Sequence, residues 1–476
     1  MPNRFTAHGS PIASYEGEGE LRLMDGTSVA CAFEAAQLTS GQVLLRCIDR
    51  NYLGFPPASA QQFSGRTTED YGVVARGLAW VIDLSRRSTA AEAGSISTYA
   101  SEQLTVTLEL GQDIPPQYAA FGLTNFDFRS WQRSPLPFDT NTGRRVLHVA
   151  VRDNDQVVSI VIRPLARQHS RHRRARALRS IEVTSELVLQ ITPEQDLGYA
   201  TTIARDVSDL LSFARGTPVT IAYRYLVRSD GSTFFRNHFA KFAKPYVPYP
   251  LLDPRRPAST RRFLRNAFPA YRQLKSQLNL RSVLRAHLDA RQDADFLQVR
   301  GVKIAAVAEV LKENFHSSGI LDINDHRMDP KVFKRAVSSK LKRVLIEIAD
   351  AGDISQELRQ EFTRKLGDIN RQDFREVLAA ICRFVRLDAD SDLQPFVWSR
   401  NRLIHTGRFI SESTTEKDRR LATTMGWNTI LEEYYFLVEL LDRILLRLFD
   451  YEGEYVDIST WPFMANKTLI VAERTA

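Results

Sequence analysis

Apolar and polar residues alternate in short runs through the first half of the chain, a pattern typical of half-buried β-strands. The clearest run covers residues 104–110. Two further runs, 146–151 and 157–162, flank the turn-forming triplet 153–155 and predict a β-hairpin. The other predicted strands cover residues 20–23, 42–48, 182–184, 187–191 and 219–225. One helix is predicted among them, at 197–214, and Gly216 is placed to end it.

The pattern changes after residues 243–257, which contain five prolines and predict a linker. Beyond them, apolar residues recur every three or four positions, as in amphipathic helices. The predicted helices cover residues 260–278, 280–290, 302–315, 330–351, 355–366, 373–385 and 421–449, and one more begins near Pro395. The sequence thus predicts an α+β protein with a β-rich N-terminal domain (1–245), a basic helical linker region (246–300) and an all-α helical bundle (301–460).

Composition narrows the class of protein. A chain with 43% hydrophobic and 25% charged residues is expected to fold. The N-terminus has no apolar run of the kind found in secretory leaders, and residues 434–448 are too short and too charged to span a bilayer. Three cysteines without paired spacing predict neither disulfides nor a zinc site. We therefore expect a cytoplasmic protein that does not contact membranes.

The formal net charge of +8 is carried by 52 Arg against 12 Lys. Guanidinium groups match phosphate oxygens in pairs, so an arginine-rich basic protein favours nucleic acid as a partner. Two stretches, 163–179 and 254–287, hold many basic residues and no acidic residue. Each is equally consistent with a solvated surface that forms salt bridges between domains.

The strongest candidate for chemistry is the segment Arg400-Asn401-Arg402-Leu403-Ile404-His405. An imidazole can transfer protons near neutral pH, and a guanidinium can stabilise charge that builds up on a phosphate. Pro395 fits the first turn of the predicted helix, and Gly407 is placed to end it. Asn401 and His405 then share one face, while Arg400 lies about 100° around the axis from Asn401. Because one helix does not bring all three groups together, a second copy across a two-fold axis could complete the site.

Structural roles for the same residues remain open. The spacing alone is expected about once by chance in a chain of this composition, and Arg167 and His172 repeat it. Arg400 could pair with Asp388 or Glu432, and His405 could simply favour the negative end of its helix. The acidic residues just before Pro395 are interpreted as a solvated loop, and Trp398 and Trp427 as core residues.

Three features together resemble a known family. They are Arg400-Asn401-x3-His405 in a basic helical region, the long apolar helix at 429–448, and Asp450-Tyr451-Glu452-Gly453-Glu454-Tyr455 after it. They resemble a HEPN domain over residues 301–454, of the ApeA-like branch that follows a β-rich N-terminal domain in bacterial phage-defence proteins. The first half of the chain resembles the ApeA N-terminal domain more loosely.

The resemblance implies a metal-independent endoribonuclease of an abortive-infection system, without cofactor, that acts as a homodimer through its helical domain. Arg400, Asn401 and His405 would be catalytic, and the products would carry 2′,3′-cyclic phosphates. The residues expected to contact the RNA substrate are Arg402, Arg408, Arg261, Arg262 and Arg265. The β-rich domain would sense a phage-derived trigger or restrain the nuclease. The alternative is a non-catalytic module that binds RNA or a phage component and dimerises.

Overall fold

The computed structural model describes residues 11–38, 41–49, 60–81, 95–107, 116–128, 132–142, 145–165, 183–191, 197–228, 230, 232–240, 249–292, 295–321, 328–366, 370, 373–460 and 463–469. These residues form two compact units. The β-rich unit comprises Met1–Gln273, Arg291–Asp295 and Phe449–Leu469. The helical unit comprises Leu274–Ala290, Phe296–Leu448 and Ile470–Ala476. The α+β class predicted from the sequence is therefore confirmed at this coarse level.

Antiparallel strands make up most of the β-rich unit. The strands are β1 Pro11–Leu23, β2 Ser28–Leu38, β3 Val43–Asp49, β4 Ala60–Thr67, β5 Gly72–Trp80, β6 Ser95–Thr107, β7 Tyr118–Thr124, β8 Gln132–Arg133, β9 Arg145–Asp153, β10 Gln156–Pro164, β11 Val183–Gln190, β12 Ile221–Val227, β13 Thr233–Phe239, β14 Glu454–Val456 and β15 Asn466–Thr468. The unit also holds helices α1 Leu197–Arg215 and α2 Pro257–Leu274. Helix α2 lies in the segment predicted as a linker and belongs to this unit.

Six strands close into a barrel in the order β3-β2-β1-β4-β5-β6, because β3 also pairs with β6. The closing register runs from Val43 opposite Ser101 to Asp49 opposite Ser95. Inward-facing side chains, among them Leu21, Phe33 and Phe63, fill its core. Alternate residues of each strand face this core, which is why the two-residue periodicity of the sequence was informative.

Strand β6 links the barrel to the rest of the 13-stranded sheet. Residues 95–101 pair with β3 and close the barrel, whereas residues 103–107 pair with β13 on the same edge. From β13 the sheet continues in the order β12-β7-β11-β10-β9-β8. The predicted hairpin is confirmed as β9–β10, and its turn residue Asn154 has the left-handed φ of 54°.

Strand β11 corrects the prediction of two separate strands at 182–184 and 187–191. Ser185 and Glu186, the two polar residues between the predicted strands, are both buried in one continuous strand. The Glu186 carboxylate accepts hydrogen bonds from Arg163 Nε at 2.7 Å, from the Tyr223 hydroxyl at 2.7 Å and from the Tyr225 hydroxyl at 2.8 Å. Since a buried carboxylate is tolerated only with such partners, these distant donors explain why the strand is not interrupted.

A second buried polar group is His238, and its hydrogen-bond partners determine which ring nitrogen carries the proton. Gln37 Nε2 donates to the carbonyls of Ala222 and Phe239, so its Oε1 is left to accept from His238 Nδ1 at 2.8 Å. The other ring nitrogen, Nε2, must then accept from the Tyr15 hydroxyl, also at 2.8 Å. Burial, together with the nearby Arg236 cation, lowers the pKa of His238 from 6.5 to about 3.

His238 is expected to make the β-rich unit acid-sensitive. As the pH falls below 6.5 the unfolded chain takes up a proton at this residue, whereas the folded chain does not until about pH 3, so stability is lost across that window. By about pH 5 the loss is on the order of 2 kcal/mol. Urea titrations at several pH values should show a shallower pH dependence for His238→Gln, whose amide can still donate to Gln37 and accept from Tyr15. Equal slopes for the two proteins would contradict this assignment.

Helices form the second unit. They are α3 Leu280–Ala290, α4 Leu297–Ser318, α5 Pro330–Phe333, α6 Ser339–Asp350, α7 Gln356–Lys365, α8 Phe374–Phe384, α9 Asp390–Thr406, α10 Glu416–Thr424 and α11 Ile430–Leu448. A π-helical turn, Lys334–Ser338, joins α5 to α6. Helix α9 packs against α4, α8 and α11. Among the described helices, none combines the length and the apolar run that a bilayer span requires.

The predicted helix at 421–449 is two helices in the structure. Helix α10 ends before Gly426, whose φ of 72° is left-handed, and α11 begins at Ile430. Glu432 accepts hydrogen bonds from the backbone N–H groups of Asn428 and Thr429 and so caps the start of α11. The periodicity of the sequence continues across the break because Trp427, between the helices, is buried as well.

Candidate active site

All three predicted catalytic residues lie on helix α9, but the helix begins earlier than expected. Asp390 and Asp392, interpreted as part of a loop, form its first turn, where carboxylates interact favourably with the helix dipole. Pro395 therefore lies inside the helix and not in its first turn. The lost backbone hydrogen bond costs about 3 kcal/mol. Burial of Leu393, Phe396 and Val397 on either side of the proline offsets that cost.

Helix α9 ends at Thr406, directly before Gly407, as the sequence predicted. Gly407 adopts a φ of 67°, and its N–H donates to the carbonyl of Leu403 at 2.8 Å. Leu403 is buried against α4, where a Cβ on Gly301 would lie 3.0 Å from Leu403 Cδ2. The small residue at 301 thus lets the end of α9 approach α4 closely. As a result, His405 is held in the last turn of a well-anchored helix.

The Arg400 guanidinium is fixed by three elements of the helical unit. Its Nη1 donates to Asn401 Oδ1 at 2.5 Å, and Nη2 forms an ion pair with Glu309 of α4. Its plane lies over the ring of Phe374 of α8, with 4.8 Å from Cζ to the ring centroid. Lys312 Nζ also contacts Glu309, at 3.0 Å, so the carboxylate faces two cations. The side chain of Arg400 is 16% exposed, so these contacts shield most of it from solvent.

Arg400 does pair with a carboxylate, though with neither residue considered from the sequence. Glu432 is used as the cap of α11, and Asp388 is exposed. Glu309 lies 91 positions earlier in the chain, so sequence proximity gave no indication of the pair.

The side chain of His405 is exposed, and within the described part of the chain it forms no hydrogen bond or ion pair. Asn401 is half-buried one turn earlier on the same face. Asn401 therefore lies between a guanidinium held toward α4 and α8 and an exposed imidazole that a ligand can reach. Arg400 and His405 themselves lie about 140° apart around the helix axis, so a single copy of α9 does not bring them face to face.

The buried carboxylate of Glu433 on α11 binds residues that come before and after the Arg400–His405 segment. It accepts hydrogen bonds from the Ser399 hydroxyl at 2.5 Å, the Ile410 N–H at 3.1 Å and the Ser411 N–H at 2.8 Å. Ser399 directly precedes Arg400, and the two amides follow the end of α9. Glu433 is fully buried, at 0% exposure. Sequence reasoning missed it, although an acidic residue on the apolar stripe that contains Leu437 was a usable signal.

Trp398 was interpreted as a core residue, and that interpretation is wrong. It is 41% exposed, and helical geometry places it on the face that carries Asn401 and His405. An exposed aromatic plane of this kind can stack an unpaired base. Trp427, the other predicted core tryptophan, is 5% exposed and fits the prediction.

The arginines predicted to contact RNA fall in two different units. Arg408 is exposed beyond the end of α9, and Arg402 contacts Asp418 at 3.5 Å. Arg261, Arg262 and Arg265 lie on α2 in the β-rich unit, where Arg262 and Arg265 are exposed and Arg261 is half-buried. Of the basic run 163–179, Arg163 is buried on β10, and residues 166–179 lie outside the described part of the chain.

No protein-family model, curated protein or solved structure matches this chain. Within the described residues, no three His, Cys, Asp or Glu side chains are grouped so that they could hold a metal ion. Function is therefore inferred from the chemistry of the α9 residues.

Proposed function

We propose that this protein is a metal-independent endoribonuclease whose helical unit is a HEPN-like bundle with Arg400, Asn401 and His405 as catalytic residues. One observation carries the proposal. An exposed imidazole lies one helical turn from an amide that is hydrogen bonded to a preorganised guanidinium. The resemblance of the Arg400–His405 segment and of the helix after it to HEPN domains supports the same function.

His405 would act as the general base. Its imidazole takes the proton of an RNA 2′-hydroxyl, and the 2′-oxygen then attacks the adjacent phosphorus. The bond between phosphorus and the 5′-oxygen breaks, and an acid protonates that oxygen as it leaves. The products carry a 2′,3′-cyclic phosphate and a 5′-hydroxyl. Because the nucleophile is the 2′-hydroxyl, DNA would not be cleaved.

Arg400 would stabilise the charge that accumulates on the phosphate oxygens in the transition state. Phe374 and Glu309 hold the guanidinium plane in place, so little reorganisation is required when the charge develops. Asn401 would orient the phosphate or the imidazole through its side-chain amide. Arg402, Arg408 and the exposed ring of Trp398 would contact neighbouring nucleotides.

The proton donor for the leaving group would come from a second copy of the chain. Arg400 and His405 diverge around the axis of α9, so an isologous dimer would provide a guanidinium and an imidazole from both copies at one composite site. We further propose that the β-rich unit restrains this site until a phage-derived trigger appears, as an abortive-infection nuclease requires.

The proposal is tested by incubating purified full-length protein with a labelled RNA pool in EDTA. We expect cleavage that leaves 2′,3′-cyclic phosphate ends, and no cleavage of an RNA with a single 2′-deoxy substitution at the cleaved position. Cleavage that disappears in EDTA, or that continues at the 2′-deoxy position, would contradict a 2′-hydroxyl mechanism.

A second candidate function is a non-catalytic module that binds RNA or a phage component and dimerises. One observation favours it: the guanidinium of Arg400 is already engaged by Glu309, Asn401 and Phe374, as a purely structural arginine would be. The two candidates differ in whether function requires His405.

A further inference from the structure

Helices α6 and α7 form a hairpin whose apolar residues face solvent. The five-residue connection between them makes the helices antiparallel neighbours. Of the residues in both helices, only Ala349 is buried. The exposed apolar side chains are Leu341, Val344, Ile346, Leu358 and Phe362, each between 36% and 47% exposed. Helices with this periodicity normally bury their apolar stripe, so the α6–α7 hairpin has an uncovered surface.

A groove of about 300 Å³ runs along this surface. Its lining residues are Leu341, Val344, Leu345, Phe362, Lys365 and Leu366. Lys365 forms an ion pair with Glu361 at 2.6 Å, which holds its ammonium group at the rim. The groove therefore offers a mainly aliphatic and aromatic floor to an apolar partner.

Charge is strongly segregated along the hairpin and the turns that lead into it. Residues 331–343 hold six cations and no acidic residue, and α7 ends with two more, Arg364 and Lys365. Residues 344–363, which include the connection, hold five carboxylates and a single cation, Arg359. Because the helices are antiparallel, the basic residues gather at the base of the hairpin and four of the five carboxylates in its tip half, whereas Glu361 lies midway along α7 beside Lys365.

We propose that the α6–α7 hairpin is a self-association surface that packs antiparallel against the same hairpin of a second copy of this chain. In an isologous contact, each patch meets its own copy rotated by 180°. An antiparallel arrangement places the basic end of each hairpin beside the acidic tip of its partner. The two apolar stripes then meet between these two charged contacts. A parallel arrangement would oppose like charges.

The same charge pattern disfavours binding of other partners to the α6–α7 hairpin. Nucleic acid and anionic lipid surfaces would be attracted to the base and repelled by the four carboxylates at the tip. A second copy satisfies both ends at once. This inference does not require ribonuclease activity, and it concerns helices other than α9.

The test is a charge exchange followed by sedimentation or light scattering of the full chain. The base variant is Lys342→Glu with Arg343→Glu, and the tip variant is Asp353→Lys with Glu357→Lys, both at exposed positions. We expect the unaltered chain to dimerise through the hairpin, and each variant alone to dimerise there with a dissociation constant raised by at least about tenfold. Association that persists in both variants would belong to the separate contact proposed at α9. Mixing the two variants should restore the dimer, because the acidic base of one then meets the basic tip of the other. Arg419→Glu with Arg420→Glu on α10 is the matched control and should leave the dimer intact.

Three results would overturn the inference: a monomeric unaltered chain, variants that dimerise as well as the unaltered chain, or a mixture that fails to form the heterodimer. If the tip variant gains RNA binding that the base variant loses while the mass stays unchanged, the hairpin is a nucleic-acid surface instead. All of these are readings of mass or binding, so they do not depend on whether His405 cleaves RNA. Circular dichroism of each variant shows whether it is folded.

Discussion

Replacing His405 with alanine is expected to lower the rate of RNA cleavage by roughly 10²- to 10⁴-fold, the usual contribution of a general base or acid. The side chain is exposed at the end of α9 and forms no hydrogen bond or ion pair with the described residues that alanine would break. The fold should therefore survive the change, and the loss should appear in the chemical step. Single-turnover cleavage of labelled RNA in EDTA measures it directly.

His316→Ala is the matched control, because His316 also lies in the last turn of a helix, α4, in the same unit. Its cleavage rate should stay close to that of the unaltered protein. Equal cleavage by His405→Ala and the unaltered protein would rule out His405 as the general base of the observed cleavage. In infected cells, full protection by His405→Ala would favour the non-catalytic module.

Replacing Glu433 with alanine is expected to produce the largest structural effect. The change leaves the Ser399 hydroxyl and the N–H groups of Ile410 and Ser411 without their buried acceptor. Each such loss costs about 1–3 kcal/mol, partly offset because a carboxylate no longer has to be buried, so we expect a net loss of about 3 kcal/mol. Exchange of the amides at 399–411 should accelerate on the order of 100-fold, since 1.4 kcal/mol corresponds to a factor of ten.

Glu433→Gln should recover part of this protection, because its amide oxygen can still accept from two of the three donors. Glu416→Ala is the comparison at an exposed carboxylate of the same unit, 78% exposed, and should leave the exchange at 399–411 unchanged. Hydrogen exchange with mass spectrometry resolves the segment. Unchanged exchange in Glu433→Ala would show that packing alone holds α9 in place.

Features set by neighbouring residues were predictable from the sequence. The β9–β10 hairpin, the helix that ends before Gly216 and the end of α9 at Gly407 each depend on a residue that favours a left-handed φ next to a periodic run. The extra helical turns before Pro395 were not predictable in this way. They depend on burial against other helices, which overrides the local preference of proline.

The candidate site also combines features that neighbouring residues predict with features that depend on distant residues. Its three residues could be found because they are adjacent and chemically distinctive. The carboxylate and ring that fix Arg400, and the carboxylate that holds Ser399, come from other helices far away in the chain. Such pairings depend on packing between helices, which periodicity does not encode.

Strand β6 has a consequence for how this protein can be divided. Its first half closes the barrel and its second half pairs with β13, so a cut in the chain between β6 and β7 leaves β6 whole but separates its residues 103–107 from their partner strand. A fragment that ends or begins there would expose unpaired backbone N–H and C=O groups along the broken edge and would tend to aggregate. Separating the barrel from the rest of the sheet therefore leaves each part with an exposed strand edge, and a protein engineer would have to cover that edge in both fragments.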